Sequence, residues 1–364
     1  MKLLITTKTV DENDQLLGFF VEWIRLFSKK FEKITVLCLE KGKFELPENV
    51  KVINIGKYSG LGKLRTLFSL CFTSFNLRGD YDAVFVHMNP IWVVLGGPLW
   101  KLLGKRSFFW YTSGGVTFKL KVAEKFADVI FTASKESFRL KSDKVIVTGH
   151  GIDTELFKPD SKFKIQNSKL RILSVGRIAP VKSYETLIDA AKILKDRGEN
   201  FSITMIGEAP LKQDKQYENN LKSQISNLNL QNNFNFIGKV NYKKLLPYYQ
   251  SHDIFVHLSK TGSLDKALLE AMACGILVLS SNFSAKDFLS PQFLFDEDNA
   301  DDLAFKLQFI SQKYYSMESD RPLRNYVVQN HNLENLIDKI SNYIKSLQYY
   351  TLVHMIQNIQ ETQF

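Results

Sequence analysis

Arg177 and Lys182 stand on one short loop in RILSVGRIAPVKSYETLIDAAKIL, the stretch from Arg171 to Leu194. The β-branched run before Gly176 reads as a strand. After the loop, Leu187, Ile188, Ala191 and Leu194 recur at helical spacing, so the two cations fall where a helix begins. Backbone amides at a helix N-terminus already carry partial positive charge and disfavour cations. A phosphate removes the conflict, with Gly176 ending the strand beside it, Arg177 offering a planar fork of donors and Lys182 a point charge. The alternative is that both side chains extend into water.

A second stretch, TGSLDKALLEAMACG from Thr261 to Gly275, sets one carboxylate, Glu270, in an apolar helix among the small residues Ala267, Ala271 and Cys274. Ser263 is placed to cap a helix starting near Leu264, and Gly275 to end it. The helix start, with the flexible Gly262 before it, then presents free amides to an anion. Glu270 follows Ser263 by about 10 Å along the axis, at 1.5 Å per residue. That matches the reach from the sugar–phosphate end of a nucleotide sugar to its ribose, whose hydroxyls suit an acceptor-only carboxylate. The alternative is an i,i+4 pair with Lys266, in the weaker order and worth ~0.3 kcal/mol. In FNFIGKV, Gly238, Lys239 and Val240 follow a strand and either turn the chain or present backbone groups to a base edge.

These loops need a frame, and the chain supplies it. KLLIT, KITVLC, KVINI, AVFVH, RSFFWY, DVIFTA and KVIVTG are nearly continuously apolar and alternate with helical patterns; RILSV, FSITMI, FNFIG, DIFVHL and ILVLS continue the series. Such runs fit parallel strands covered on both faces. Between the two series lies the polar, periodicity-free DTELFKPDSKFKIQNSK, which reads as a linker. The expected division is 1–155 for an acceptor-side domain, 156–330 for a nucleotide-sugar-binding domain, and 331–364 for helices packing across both. Ligands then bind at the carboxyl ends of the strands.

Composition narrows the class further. With 364 residues, 45% of them apolar and 24% charged, the chain has globular composition and suits about two domains at ~150 residues each. The net charge of +10 favours anionic partners: a nucleotide sugar, or an anionic membrane surface. No linear nucleic-acid motif concentrates that charge, so nucleic acid is not expected. Cys38, Cys71 and Cys274 lack metal-ligand spacing and read as buried thiols. The N-terminus lacks a long apolar leader, and Ile91–Gly104 falls short of the ~20 residues of a span, so a cytoplasmic location is expected. Lys63–Arg78 combines an apolar helical pattern with basic ends, as interfacial or buried helices do.

VGRIAPVKSYETLIDAAKIL, IGEAPLK, FIGKV and ALLEAMACG, with VTGHGIDTELFKP before them, resemble the retaining family-4 glycosyltransferases. The resemblance covers Lys144 to about Ser280 and the first half only loosely. It implies the GT-B fold, two doubly wound Rossmann-like α/β domains facing a central cleft. It also implies transfer of a sugar from a nucleoside-diphosphate sugar to a glycan, lipid-linked or small-molecule acceptor with retention of configuration. In that family the positions matching Arg177 and Lys182 hold the donor diphosphate, and the position matching Glu270 holds the ribose. The turn at Gly238–Val240 lies beside the base. No metal and no further cofactor is implied, because the two cations neutralise the leaving group.

Two positions depart from the family pattern. A glutamate usually stands eight residues before the ribose glutamate, and here that position is Gly262; the amides of Ser263 and Leu264, or the side chains of Asp265 and Lys266, are then left to meet the transferred sugar. A histidine is usual near Ser113 and is missing, so Ser113, Gly114 and Gly115 are the donors on that loop. On the acceptor side Gly18, His87 and His150 complete the candidates. Two rival readings share the fold: a non-catalytic partner subunit, motivated by Gly262 and Ser113, and a nucleotide-sugar epimerase. A Rossmann dehydrogenase is disfavoured, since no GxGxxG follows the first strand.

Overall fold

The computed structural model describes every residue except 15, 57–61, 161–168, 314–320 and 362–364. The middle of the expected linker, 161–168, therefore lies outside the described residues. Two compact units emerge, Met1–Gly151 with Leu333–Phe364, and Ile152–Asn332.

Unit 1 runs β1 (Lys2–Val10), α1 (Phe20–Ser28), β2 (Lys33–Lys41), β3 (Val50–Asn54), α2 (Gly62–Asn76), β4 (Ala83–His87), α3 (Pro90–Leu102), β5 (Arg106–Trp110), α4 (Phe118–Phe126), β6 (Val129–Thr132) and β7 (Val145–Val147). The strands form one sheet in the order β3-β2-β1-β4-β5-β6-β7, each pair parallel. Continuous apolarity has the expected cause: all five residues of β4 are buried, because helices cover both faces. One face packs Phe20, Trp23 and Phe27 of α1. The opposite face packs Leu70 of α2, Trp92, Val93 and Trp100 of α3, and Leu120 and Ala123 of α4. The apolar run Ile91–Gly104 is thus largely α3, in which Gly97 admits Phe126 of α4; a Cβ there would lie 2.7 Å from the Phe126 Cβ.

Unit 2 runs β8 (Leu170–Val175), α5 (Tyr184–Asp196), β9 (Phe201–Ile206), α6 (Lys212–Asn227), β10 (Phe234–Gly238), α7 (Leu246–Ser251), β11 (Ile254–His257), α8 (Lys266–Ala273), β12 (Leu277–Ser280), α9 (Ala300–Lys313) and α10 (Arg321–His331). Its parallel sheet has the order β10-β9-β8-β11-β12, so the strand order reverses between β8 and β11. Asp253 locks that junction. Its carboxylate accepts from the Arg171 backbone amide at 2.7 Å, from Nε at 3.0 Å and from Nη2 at 2.7 Å. Arg324 ties α10 back by donating to the carbonyls of Phe157 and Thr154 at 2.9 and 3.2 Å.

The chain then returns to unit 1 as α11 (Leu333–Glu361). Leu333, Leu336, Ile337, Ile340 and Ile344 recur at three- and four-residue spacing and bury one stripe in the α1 side of the core. Among the described residues no helix is long and apolar enough to cross a membrane.

Candidate functional site

In unit 2 the loops leaving β8 and β11 flank the strand-order reversal, the place where open parallel sheets bind ligands. Three glycines set the floor. Gly176 N–H donates to Ile206 at 2.9 Å, and Gly207 N–H donates to Gly238 at 2.9 Å. Gly207 has φ +144°, and a Cβ on it would stand 1.8 Å from the Gly176 carbonyl oxygen. Gly207→Ala therefore combines a left-handed backbone with a backbone collision, and we expect a loss of ~3 kcal/mol or more from unit 2. Urea unfolding of the variant against the parent measures it.

The β8–α5 loop folds as expected: a short 3₁₀ turn over Pro180–Lys182 precedes α5, whose Leu187, Ile188, Ala191 and Leu194 are buried. Arg177 is exposed, and among the described residues it forms no ion pair. Lys182 lies across Gly176, its Cε 3.5 Å from where a Cβ would stand. Its ammonium donates to Ser259 Oγ at 3.2 Å and pairs with the Asp265 carboxylate.

Asp265 is the hub of this cluster. His257, at the end of β11, meets the same carboxylate oxygen through Nε2 at 2.8 Å. The other ring nitrogen of His257 is 3.1 Å from Ser280 Oγ, which itself accepts from the Asn282 amide at 3.1 Å. That pattern assigns the Nε2–H tautomer, with Ser280 donating to Nδ1. Burial lowers the His257 basicity below its ordinary value, against the pull of Asp265. Burial raises the Asp265 carboxyl, but Lys182 and His257 overcome it and hold the group well below the usual carboxylate range. The cluster is thus a carboxylate that joins an ammonium to a neutral imidazole.

The start of α8 differs from expectation. Its N-cap is Asp265, with no side-chain cap bond, and the helix begins at Lys266 rather than near Leu264. Ser263 is not the cap, because it stands two residues ahead of Asp265; its hydroxyl donates to Thr261 Oγ1 at 3.1 Å. Gly262 has φ +64°, a backbone that glycine adopts freely and glutamate rarely. Gly275 ends α8 as expected, with φ +73°, its N–H donating to Met272 at 3.0 Å and that of Ile276 to Ala271 at 3.4 Å.

Glu270 is buried on α8, where Tyr249 Oη donates to it at 3.0 Å. Burial raises its carboxyl, while Lys266, Tyr249 and Tyr242 draw it down. Burial also lowers Lys266 to about 8, against Glu270 and Asp153. Lys266 and Glu270 thus influence each other electrostatically, and the Glu270 carboxylate also accepts from Tyr249. Protonated Lys266 favours an anion, so affinity for a nucleoside diphosphate should fall as pH rises through about 8. Calorimetric titrations at several pH values should lose that step in Lys266→Met. At the end of β10, Gly238 has φ +74° and Val240 is buried beyond Lys239.

In unit 1 the remaining candidates are scattered. His87 is buried, stacked on Phe20 with ring centroids 3.7 Å apart and with Nδ1 3.2 Å from Thr7 Oγ1. His150 is buried as well. A Cβ on Gly18 would stand 2.4 Å from the Asp14 carbonyl, so this glycine serves the packing of its own loop. Ser113 is exposed, and Gly114 approaches the Arg139 guanidinium, 3.0 Å from where its Cβ would be. Among the described residues no group of three or more His, Cys, Asp or Glu could hold a metal ion.

Sequence reasoning missed His257, Ser259, Tyr249 and Gly207. His257 closes β11 within DIFVHL as His87 closes β4 in VFVH, so strand-end position was a signal; Gly207 stands in IGEAPLK at the matching place to Gly176.

Residues 157–332 match the family model described as glycosyl transferases group 1. The amylovoran biosynthesis glycosyltransferase AmsK of Erwinia amylovora is 33% identical over 149 residues, 39% of this chain and 35% of that protein. The 2-deoxystreptamine N-acetyl-D-glucosaminyltransferase of Niallia circulans is 22% identical over 56% of this chain and 59% of its own length. The matches thus span roughly a third to three fifths of those relatives. In three dimensions, HepE of Anabaena, solved with UDP and glucose, aligns over 95% of this chain and all of its own with a TM-score of 0.76 at 17% identity. Sucrose-phosphate synthase from Thermosynechococcus elongatus aligns over 95% of this chain and 98% of its own with a TM-score of 0.79 at 16% identity. The two Rossmann-like units therefore have the fold of GT-B glycosyltransferases, and the second contains the stretch that matches the glycosyl transferases group 1 model.

Proposed function

We propose that the chain is a retaining glycosyltransferase of family 4, cytoplasmic, transferring a hexosyl group from a nucleoside-diphosphate sugar to a glycan, lipid-linked or small-molecule acceptor. The observation that carries the reading is the pair of cations on one loop at the strand-order reversal, Arg177 exposed and without an ion pair among the described residues and Lys182 held by Ser259. HepE, a protein of the same fold, is solved with UDP-glucose, which supports a nucleotide sugar as the donor here.

In this reading Arg177 and Lys182 take the diphosphate and Glu270 the ribose. Gly176 and Gly238–Val240 border the nucleotide, and the residues from Gly262 to Lys266 face the transferred sugar. Ser113 and Gly114 serve the acceptor. The bond from the anomeric carbon to the phosphate oxygen breaks and its electron pair leaves on the diphosphate. The acceptor oxygen bonds to the same face of the sugar, and its proton passes to the departing phosphate. The cations accelerate the step by binding the charge that grows on that phosphate better than they bind the ground state.

Incubation with a panel of nucleotide sugars and acceptors tests this. Acceptor-dependent release of nucleoside diphosphate, with the donor's anomeric configuration kept in the product, is expected. No binding of any nucleotide sugar would end the reading. A non-catalytic partner subunit is the second reading, favoured by Gly262 and by the engagement of Lys182 with Asp265; binding without release would select it. An altered donor sugar would instead select an epimerase.

A further inference from the structure

We infer that the outer surface of the α2–α3–α4 layer of unit 1 docks on an anionic lipid surface, which goes beyond the transfer reading and does not depend on it. In the described part of α2, Leu70 and Ser74 are buried against the sheet. Phe68, Phe72 and Phe75 lie on another side of the same helix, 70%, 69% and 46% exposed. Burial in the core explains the first pair and leaves three phenylalanines in water. Their i, i+4, i+7 spacing makes one stripe. Leu102 at the end of α3 and Phe118 at the start of α4 are 84% and 80% exposed on the same layer.

Charge selects the occupant. Among the described residues from Phe68 to Phe126, Arg78, Lys101, Lys119, Lys121 and Lys125 are exposed. The three carboxylates of that stretch are all engaged. Asp80 accepts from Lys33 at 2.7 Å, Asp82 from the Lys2 amide at 2.7 Å, and Glu124 from Ser142 at 2.8 Å. The Arg78 guanidinium lies 4.5 Å from the centre of the Phe75 ring, so cation and aromatic share one patch. Aromatic side chains that bury in the headgroup region, ringed by cations that meet anionic headgroups, are what a peripheral membrane surface needs. Single apolar side chains spread over three helices suit a deformable lipid surface better than the packed centre of a protein interface.

The test is sedimentation of the whole chain with vesicles of phosphatidylcholine alone or mixed with phosphatidylglycerol. The parent should pellet with the mixed vesicles, less so as salt rises, and not with phosphatidylcholine alone. K119Q/K121Q/K125Q should weaken binding roughly hundredfold, at about fivefold per near-surface cation. F68S/F72S should weaken it more than about tenfold, from loss of buried aromatic area. Both variants should unfold at the parent's temperature, since each changed side chain is exposed. Three results would overturn the proposal: a parent that stays in solution with mixed vesicles, variants that bind like the parent, or light scattering that shows the Phe68–Phe72 face holding two copies together.

Discussion

Lys182→Met should lower the rate of sugar transfer by roughly a hundredfold to a thousandfold, the usual cost of removing one preorganised group from charge developing in a transition state. The side chain is fixed before any ligand arrives, by Ser259 at 3.2 Å and by Asp265, so little reorganisation accompanies the reaction. Methionine keeps most of the length and packing of the lysine stem and removes the charge. Arg177→Ala should act differently. Its guanidinium is exposed and, among the described residues, free of ion pairs, so its loss should weaken binding of a nucleoside diphosphate far more than binding of the bare nucleoside. Titration of both ligands against both variants checks the assignment. Equal losses for nucleoside and diphosphate would remove the phosphate from this loop.

The frame around that loop was legible in the sequence for a simple reason. Strands buried on both faces are written as unbroken apolar runs, and all twelve of the runs noted are strands of the two sheets. The loop from Gly176 to Lys182 was legible too, because the helical spacing of Leu187, Ile188, Ala191 and Leu194 fixes where α5 must begin. The start of α8 was not. Ser263 has the right chemistry for a cap, but the left-handed Gly262 before it turns the chain so that its hydroxyl bonds Thr261, and the helix waits two more residues. Local propensity cannot register such a turn, since it is set by the packing of the whole β11–α8 loop.

Long-range polar partners were hidden for a related reason. Glu270 meets Tyr249 across 21 positions and Lys182 meets Asp265 across 83, and no periodicity reports pairs so distant. The role of His257, which closes β11, depends on Asp265 lying opposite. The three-way bond among Lys182, Asp265 and His257 is visible only when β8 and β11 are side by side.

That bond leads to a second large effect, with a sign that two opposing forces decide. Asp265 neutralises Lys182 in the free protein, so a phosphate taken by the same ammonium must lie near a carboxylate. Two like unit charges roughly 5 Å apart repel by about 3 kcal/mol at an effective dielectric constant of 20. Asp265 also immobilises the lysine, and a lysine side chain freed to rotate regains about 2 kcal/mol of conformational entropy. Ser259, bonded to the ammonium at 3.2 Å, retains part of that restraint after Asp265 is changed. Repulsion therefore outweighs positioning, and Asp265→Asn should tighten binding of a nucleoside diphosphate by about tenfold. Bare nucleoside should bind both proteins alike. Calorimetry at two salt concentrations measures the effect, which should shrink as salt screens the charges. Weaker binding by the asparagine variant, with its unfolding temperature intact, would show instead that the carboxylate acts chiefly by holding Lys182 in place.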